Sequence, residues 1–154
     1  MIKKILVPLD GSKLAECALP YAEELAEKLG SEVALVSVTK RGTGFWPDED
    51  PNERAEERLV PVAVCSMEEE AIKYLDNTAK GMERKGIKVV KEVICGKAAE
   101  EILIYADNQH IDLIVMSTHG RKGPGKWLRG SVGQGVFKGA RIPIMLIRAP
   151  GCSL

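Results

Sequence analysis

The residues best suited to chemistry lie in a glycine-containing segment in the last third of the chain. Ser117-Thr118-His119-Gly120 is followed, after nine residues, by Gly130-Ser131. A short apolar run precedes this segment and a helical pattern follows it. Glycine lets the backbone approach a ligand closely, and the free N–H groups at a helix start favour an anion. This order of elements predicts an anion cradle whose natural ligand is a nucleotide polyphosphate.

The charge distribution favours the same ligand. The chain has 22 basic and 22 acidic residues, but no acid follows Asp112. Seven cations lie beyond Asp112, so the first 112 residues hold 15 cations against 22 acids, a net −7. Four of the seven lie between Gly120 and Gly130 and would attract phosphate. The alternative interpretation is a solvated basic loop.

Three side chains near the predicted cradle have two interpretations each. Asp10 follows an apolar run, where it would bind ribose hydroxyls or a divalent cation beside phosphate, or cap the turn at Gly11 and Ser12. Ser131 begins a capping-box pattern that ends at Gln134, so it is a helix cap alone or a cap and a phosphate neighbour. His119 is a phosphate ligand or a structural loop residue.

Other chemistries are disfavoured. The four cysteines are widely spaced and only two histidines are present, so we expect reduced thiols rather than a zinc cluster. The basic run has few aromatic residues, so nucleic acid is not an expected partner. Because no general base stands beside a Walker-type magnesium site, we expect slow or absent ATP hydrolysis.

Strand and helix patterns alternate along the chain and predict parallel βαβ units. The expected strands are Ile2–Leu9, Val33–Thr39, Ile87–Ile94, Ile111–Ser117 and Ile142–Ile147. The expected helices are Lys13–Leu29, Ser66–Lys85, Ala98–Asn108 and Val132–Ala140. In such a sheet, ligands bind outside the carboxyl ends of the strands, where the strand order reverses.

Several local details follow from the same patterns. The first helix should bury the face that contains Tyr21 and Leu29 and should be interrupted at Pro20. A capping box at Ser66 should open the second helix, with Ile72 facing inward. The alternation in Ile87–Ile94 indicates an edge strand.

The length of 154 residues fits a single domain over residues 1–154, with a long loop, lid or partner-binding arm at about residues 40–66. The opening apolar run is too short for a signal peptide, and no run has the roughly 18 apolar residues of a membrane span. We therefore expect a cytoplasmic protein without a membrane partner.

These motifs resemble those of the universal stress protein family. The motif of that family has three glycines: two residues separate the first from the second, nine separate the second from the third, and Ser or Thr follows the third. In this chain the second and third glycines are Gly120 and Gly130, and Ser131 follows Gly130. The opening Ile5–Ser12 looks like the family's first strand and Asp turn. The resemblance implies a Rossmann-like α/β fold of the adenine nucleotide alpha hydrolase type. Its five-stranded parallel sheet has the order 3-2-1-4-5 and helices on both faces.

The resemblance also implies a function and a site. The protein would be a regulatory, ATP-binding module of the stress response, with Asp10 available to a magnesium ion bound with the nucleotide, and a homodimer through Pro143–Arg148. Its protein partners are not identified by the resemblance. Adenine and ribose would contact Pro8, Leu9, Asp10, Val38 and Met116. The phosphates would contact Ser117, Gly120, Gly130, Ser131 and Val132.

Two residues depart from the family pattern. Ser117 stands at the first glycine, where its side chain would crowd the ribose-phosphate path or donate to phosphate. Gly133 stands where many nucleotide-binding members have a small hydroxyl residue. The alternative function is therefore a dimeric stress or interaction protein of the same fold that binds no nucleotide.

Substitution of the cradle glycines separates these functions. Gly120→Val or Gly130→Val should abolish ATP binding, because a branched side chain blocks close approach of backbone amides to phosphate. Calorimetric titration with ATP measures the effect. Unchanged affinity in both variants would contradict the predicted cradle.

Overall fold

The computed structural model describes residues 1–39, 61–118 and 132–148, and for residues 61–67 it describes the backbone alone. His119, Gly120, Gly130, Ser131 and most of the expected loop at residues 40–66 lie outside the described residues. The predictions made for them therefore remain predictions.

Five parallel strands form one sheet in the order β3-β2-β1-β4-β5, as predicted. The strands are β1 Lys4–Pro8, β2 Glu32–Thr39, β3 Val89–Cys95, β4 Leu113–Thr118 and β5 Ile144–Arg148. The helices are α1 Lys13–Glu16, α2 Leu19–Leu29, α3 Pro61–Arg84, α4 Ala98–Asn108 and α5 Val132–Gly139. The expected edge position of β3 is confirmed.

Helices cover both faces of the sheet because alternate strand residues point to opposite sides. Ile5 and Val7 of β1 pack with Ala18, Ala22 and Ala26 on one face, and residues of α3 complete this cluster. The other cluster joins β1, β2 and β4 to α4 and α5. The continuous apolar strands are therefore buried on both sides, as parallel sheets require.

The first predicted helix is divided in two at the expected place. Cys17 ends α1, and Pro20 lies in the first turn of α2, where proline is tolerated. The predicted buried face is wrong for Tyr21 and Leu29, which are 48% and 47% exposed. Three alanines take their place against the sheet, and their small side chains let α2 lie close to it.

The predicted start of the second helix is also wrong. Helix α3 begins at Pro61 and runs through Ser66, so Ser66 is not its N-terminal cap and residues 61–66 are not loop. Proline is favoured at the first helical position, and the following Val-Ala-Val-Cys run contains no helix-breaking residue. Ile72 is 51% exposed, and Leu75, Ala79 and Met82 form the buried face.

Helix α5 lies unusually close to α4 because two glycines face α4. A Cβ atom at Gly135 would lie 2.6 Å from the Ala99 Cβ, and one at Gly139 would overlap the Leu103 side chain. This contact fixes the position of α5, whose first residue comes directly after the predicted phosphate loop.

Asp112 ties the start of β1 to β4. Its carboxylate Oδ2 accepts hydrogen bonds from the backbone N–H groups of Lys3 and Lys4, at 2.8 and 3.0 Å. These bonds lower the pKa of Asp112 below its usual value. A carboxyl whose pKa is lowered by folding stabilises the folded state above its unfolded pKa, and this stabilisation is lost as the pH falls through the folded pKa.

Asp112→Asn should therefore lower the free energy of unfolding by about 1 kcal/mol near neutral pH, since it weakens charge-assisted hydrogen bonds at a partly exposed site. The loss should shrink below about pH 4, where the wild-type carboxyl also becomes neutral. Urea denaturation at several pH values measures this, with the exposed Asp107→Asn as control. A constant difference between wild type and Asp112→Asn across the acid range would contradict it.

Candidate functional site

A cavity of about 220 Å³ opens at the carboxyl ends of three neighbouring strands, β2, β1 and β4. The strand order reverses between β1 and β4, because β2 and β3 extend the sheet on one side and β4 and β5 on the other. Ligands of doubly wound sheets bind at this reversal. The cavity therefore lies where the fold itself places a binding site.

The cavity has an apolar part and a polar part. The apolar lining comes from Pro8, Leu9, Leu14, Ala15, Val36, Val38, Ala98, Ile102, Met116 and Val132. The remaining lining residues are Asp10, Ser12, Ser117, Thr118 and Gly133. An apolar pocket with a few placed polar groups is the usual composition of a small-molecule site.

The turn after β1 is organised by Asp10. Its Oδ1 accepts hydrogen bonds from the backbone N–H of Ser12, at 2.9 Å, and from the Ser12 hydroxyl. The Ser12 Oγ accepts in turn from the Ala15 N–H at 3.2 Å and caps α1. The turn-capping interpretation of Asp10 is thus confirmed. Among the described residues both bonds use Oδ1, so capping is compatible with a ligand at Oδ2.

A hydrogen bond from α3 also holds α1 in place. The Tyr74 hydroxyl donates a hydrogen bond to the Glu16 carboxylate at 2.9 Å. Burial and this carboxylate raise the pKa of Tyr74 well above its usual value, so the hydroxyl keeps its proton and its bond at neutral pH. The wall of the cavity formed by α1 is therefore braced against a second helix.

The end of β4 brings Met116 and Ser117 into the cavity lining. The Met116 side chain is 7% exposed and belongs to the α4 and α5 cluster. The Ser117 Oγ is buried and has no hydrogen-bond partner within the described part of the chain. A buried hydroxyl in this condition is rare in proteins and calls for a physical reason.

The first residues of α5 complete the cavity. Val132 is 43% exposed and lines it together with Gly133. The first N–H groups of a helix have no partner within the helix and carry a partial positive charge. The start of α5 is therefore suited to an anionic group of a ligand.

All predicted site residues that the structure describes line this one cavity. They are Pro8, Leu9, Asp10, Val38, Met116, Ser117 and Val132. Sequence reasoning missed the contribution of α4, namely Ala98 and Ile102, which lie four residues apart on its inner face. It also missed Val36, although Val36 pairs with Pro8 and lies two residues before Val38 on the same strand face.

Metal binding by the protein alone has no support in the described residues, which contain no group of three potential ligands. Magnesium usually binds through one or two carboxylates together with substrate phosphates. Asp10 would fit that arrangement as a single carboxylate beside a nucleotide.

A second, larger groove of about 400 Å³ lies between α3 and β3. Lys91 pairs there with Asp76 and Glu83, at 3.3 and 3.2 Å. These exposed pairs neutralise one another and the groove has no apolar residue in its lining, so it is not a candidate site.

The fold and the cavity define a class: a doubly wound parallel α/β protein with a pocket at its switch point. Within this class the family is shown by sequence. The profile of the universal stress protein family matches residues 1–148, and the chain belongs to that family. Among the residues that the structure describes, no helix is long and apolar enough to cross a membrane.

Individual relatives agree with the assignment. The chain is 32% identical to universal stress protein MJ0531 of Methanocaldococcus jannaschii over 97% of its own length and 84% of the relative. The solved structure of MJ0577 from that organism superposes with a TM-score of 0.74 at 28% identity, covering 98% of this chain and 99% of that one.

Two further solved structures of the fold hold ligands. One is a universal stress protein in complex with cAMP, with a TM-score of 0.70, 15% identity and coverage of 97% and 98%. The other is the universal stress protein from Archaeoglobus fulgidus in complex with dAMP, with a TM-score of 0.64, 19% identity and coverage of 96% and 98%. At these identities the likeness establishes the shared fold.

Proposed function

We propose that this protein binds ATP in the cavity at the carboxyl ends of β1 and β4 and acts as a regulatory module of the stress response. One observation carries the proposal. Seven residues selected from the sequence as nucleotide contacts come from three strands, the turn after β1 and a helix, and all line the same cavity. Their convergence in one cavity supports a shared binding site.

The cavity lining matches the parts of a nucleotide. The apolar residues of β2, β4 and α4 suit the flat adenine ring, with Val38, Met116 and Ile102 around it. Asp10 and Ser12 supply oxygen atoms for the ribose hydroxyls. The first backbone N–H groups of α5 would donate hydrogen bonds to the phosphate oxygens, assisted by the positive charge of the glycine-rich segment before it. The cAMP and dAMP complexes of the same fold support adenine nucleotide as the ligand class.

The module would act by binding rather than by rapid turnover, and we place it in the cytoplasm. Calorimetric titration of the purified protein with ATP and magnesium tests binding, and phosphate release tests turnover. Heat of binding at micromolar ATP with slow or absent phosphate release is expected. No heat at high micromolar ATP would contradict the proposal and leave the nucleotide-free alternative.

A charge at the start of α5 provides a sharper test. Val132→Glu should weaken ATP binding at least tenfold, because a carboxylate there repels the phosphates, and should leave adenosine binding nearly unchanged. Val132 is 43% exposed, and an acid in the first turn of a helix is stabilising, so folding should persist.

Val132→Gln is the matched control, with the same shape and no charge. It should bind ATP nearly as the wild type does. Equal ATP affinity in the Glu and Gln variants would place the phosphates away from α5.

We also propose a homodimer through Pro143–Arg148. Strand β5 lies at the sheet edge with β4 on one side only, and Met145 is 36% exposed there. Two such edges would pair antiparallel around a two-fold axis and remove both exposed edges.

Native mass spectrometry tests the dimer. The wild type should appear at twice the chain mass of 16.8 kDa. Met145→Lys should give monomers, because lysine on an edge strand opposes edge pairing. Ile104→Lys, at an exposed position of α4, is the control and should remain dimeric. A monomeric wild type would contradict this interface.

A further inference from the structure

The Ser117 hydroxyl is a buried polar group that the fold of the described residues does not use. Its Oγ is buried and makes no hydrogen bond within the part of the chain that the structure describes. Ser117 nevertheless lines the cavity at the carboxyl end of β4. It stands at the position where the family motif has glycine, so the hydroxyl is a feature of this chain rather than of the motif.

The position of Ser117 in the strand explains its surroundings. Successive strand residues alternate between faces, so Ser117 shares a face with Leu113 and Val115, which pack in the cluster of α2 and α3. Those neighbours are apolar and provide no acceptor. The Ser12 hydroxyl, which also lines the cavity, is bonded to Asp10 and Ala15 and makes no hydrogen bond to Ser117.

Comparison with Ser31 shows how the unpaired Ser117 hydroxyl affects stability. Ser31 is more deeply buried, at 4% exposure, and its hydroxyl donates to the Ile2 carbonyl oxygen at 2.7 Å. A buried hydroxyl that is left unpaired loses its hydrogen bonds to water without replacement and destabilises the folded state. The Ser117 hydroxyl therefore does not stabilise the ligand-free protein.

We propose that Ser117 determines ligand affinity in this cavity by donating a hydrogen bond from its hydroxyl to a sugar or phosphate oxygen of the bound nucleotide. The inference rests on the proposed function. Ser117 lines the cavity, and its side chain has three staggered χ1 rotamers from which to meet a ligand oxygen bound there. The ligand oxygen then supplies the partner that the described residues lack.

The test is Ser117→Ala. The substitution removes the unpaired hydroxyl, so the melting temperature of the ligand-free protein should rise by about 2 to 4 °C. The same substitution should weaken ATP binding about tenfold, equivalent to about 1.4 kcal/mol. A rise in stability together with a loss of affinity is the signature of a group held for a ligand, and a purely structural residue would not produce it.

Ser31→Ala is the matched control. It also removes a buried serine hydroxyl, but this hydroxyl is bonded, so the melting temperature should fall and ATP affinity should not change. Titrations of both variants with ATP, AMP and adenosine locate the contact. A loss of affinity for all three ligands places it on the sugar, and a loss confined to ATP and AMP places it on a phosphate.

Two results would overturn the inference, and they are distinguishable. If the wild type binds ATP and Ser117→Ala binds equally well or more tightly, the side chain only occupies space and the inference fails while the proposed function stands. If the wild type binds neither ATP nor AMP, the proposed function fails and the inference fails with it.

Discussion

The constraint on which this structure depends is the reversal of strand order between β1 and β4. Both strands are buried on both faces and end at the same edge of the sheet. Helix α1 follows β1 to one face, and α4 and α5 cover the other. At the ends of these strands, residues of the turn after β1, of α1 and of α5 line the cavity. A cavity at this edge results from the topology, before any side chain gives it specificity.

Packing then gives the cavity its fixed walls. Alanines on α2 and glycines on α5 bring these helices close to the sheet and to α4, so their positions are set by contact of backbone and small side chains. Tyr74 braces α1 through Glu16. Because interiors are packed as densely as crystals, a site built on such elements keeps its shape without a ligand. The polar groups at its rim, Asp10 above all, are held by local hydrogen bonds.

Much of the fold could be predicted from the sequence because its signals are local. The β-branched runs identified all five strands, and Ala98–Asn108 was predicted with the bounds that the structure has. The predictions were wrong where tertiary packing, rather than local sequence, determines which residues are buried. Tyr21 and Ile72 fit an apolar helical face but are exposed, whereas Ala22 and Ala26 of α2 pack against the sheet. The predicted start of α3 was wrong because the residues from Ser66 match the capping-box pattern of a helix start, whereas Pro61 alone is a weaker signal for one. At the site, strand ends and motif residues were identified, whereas Ala98 and Ile102 belong to no motif and reach the cavity only through helix packing.

A crystal structure of the protein grown with Mg-ATP tests the central claim most directly. We predict adenine density among Val38, Ile102 and Met116, with phosphate density at the first amides of α5 near Ser117. An empty cavity in well-ordered crystals at saturating ATP, or a nucleotide bound at another surface, would contradict the claim that this switch-point cavity is the nucleotide site.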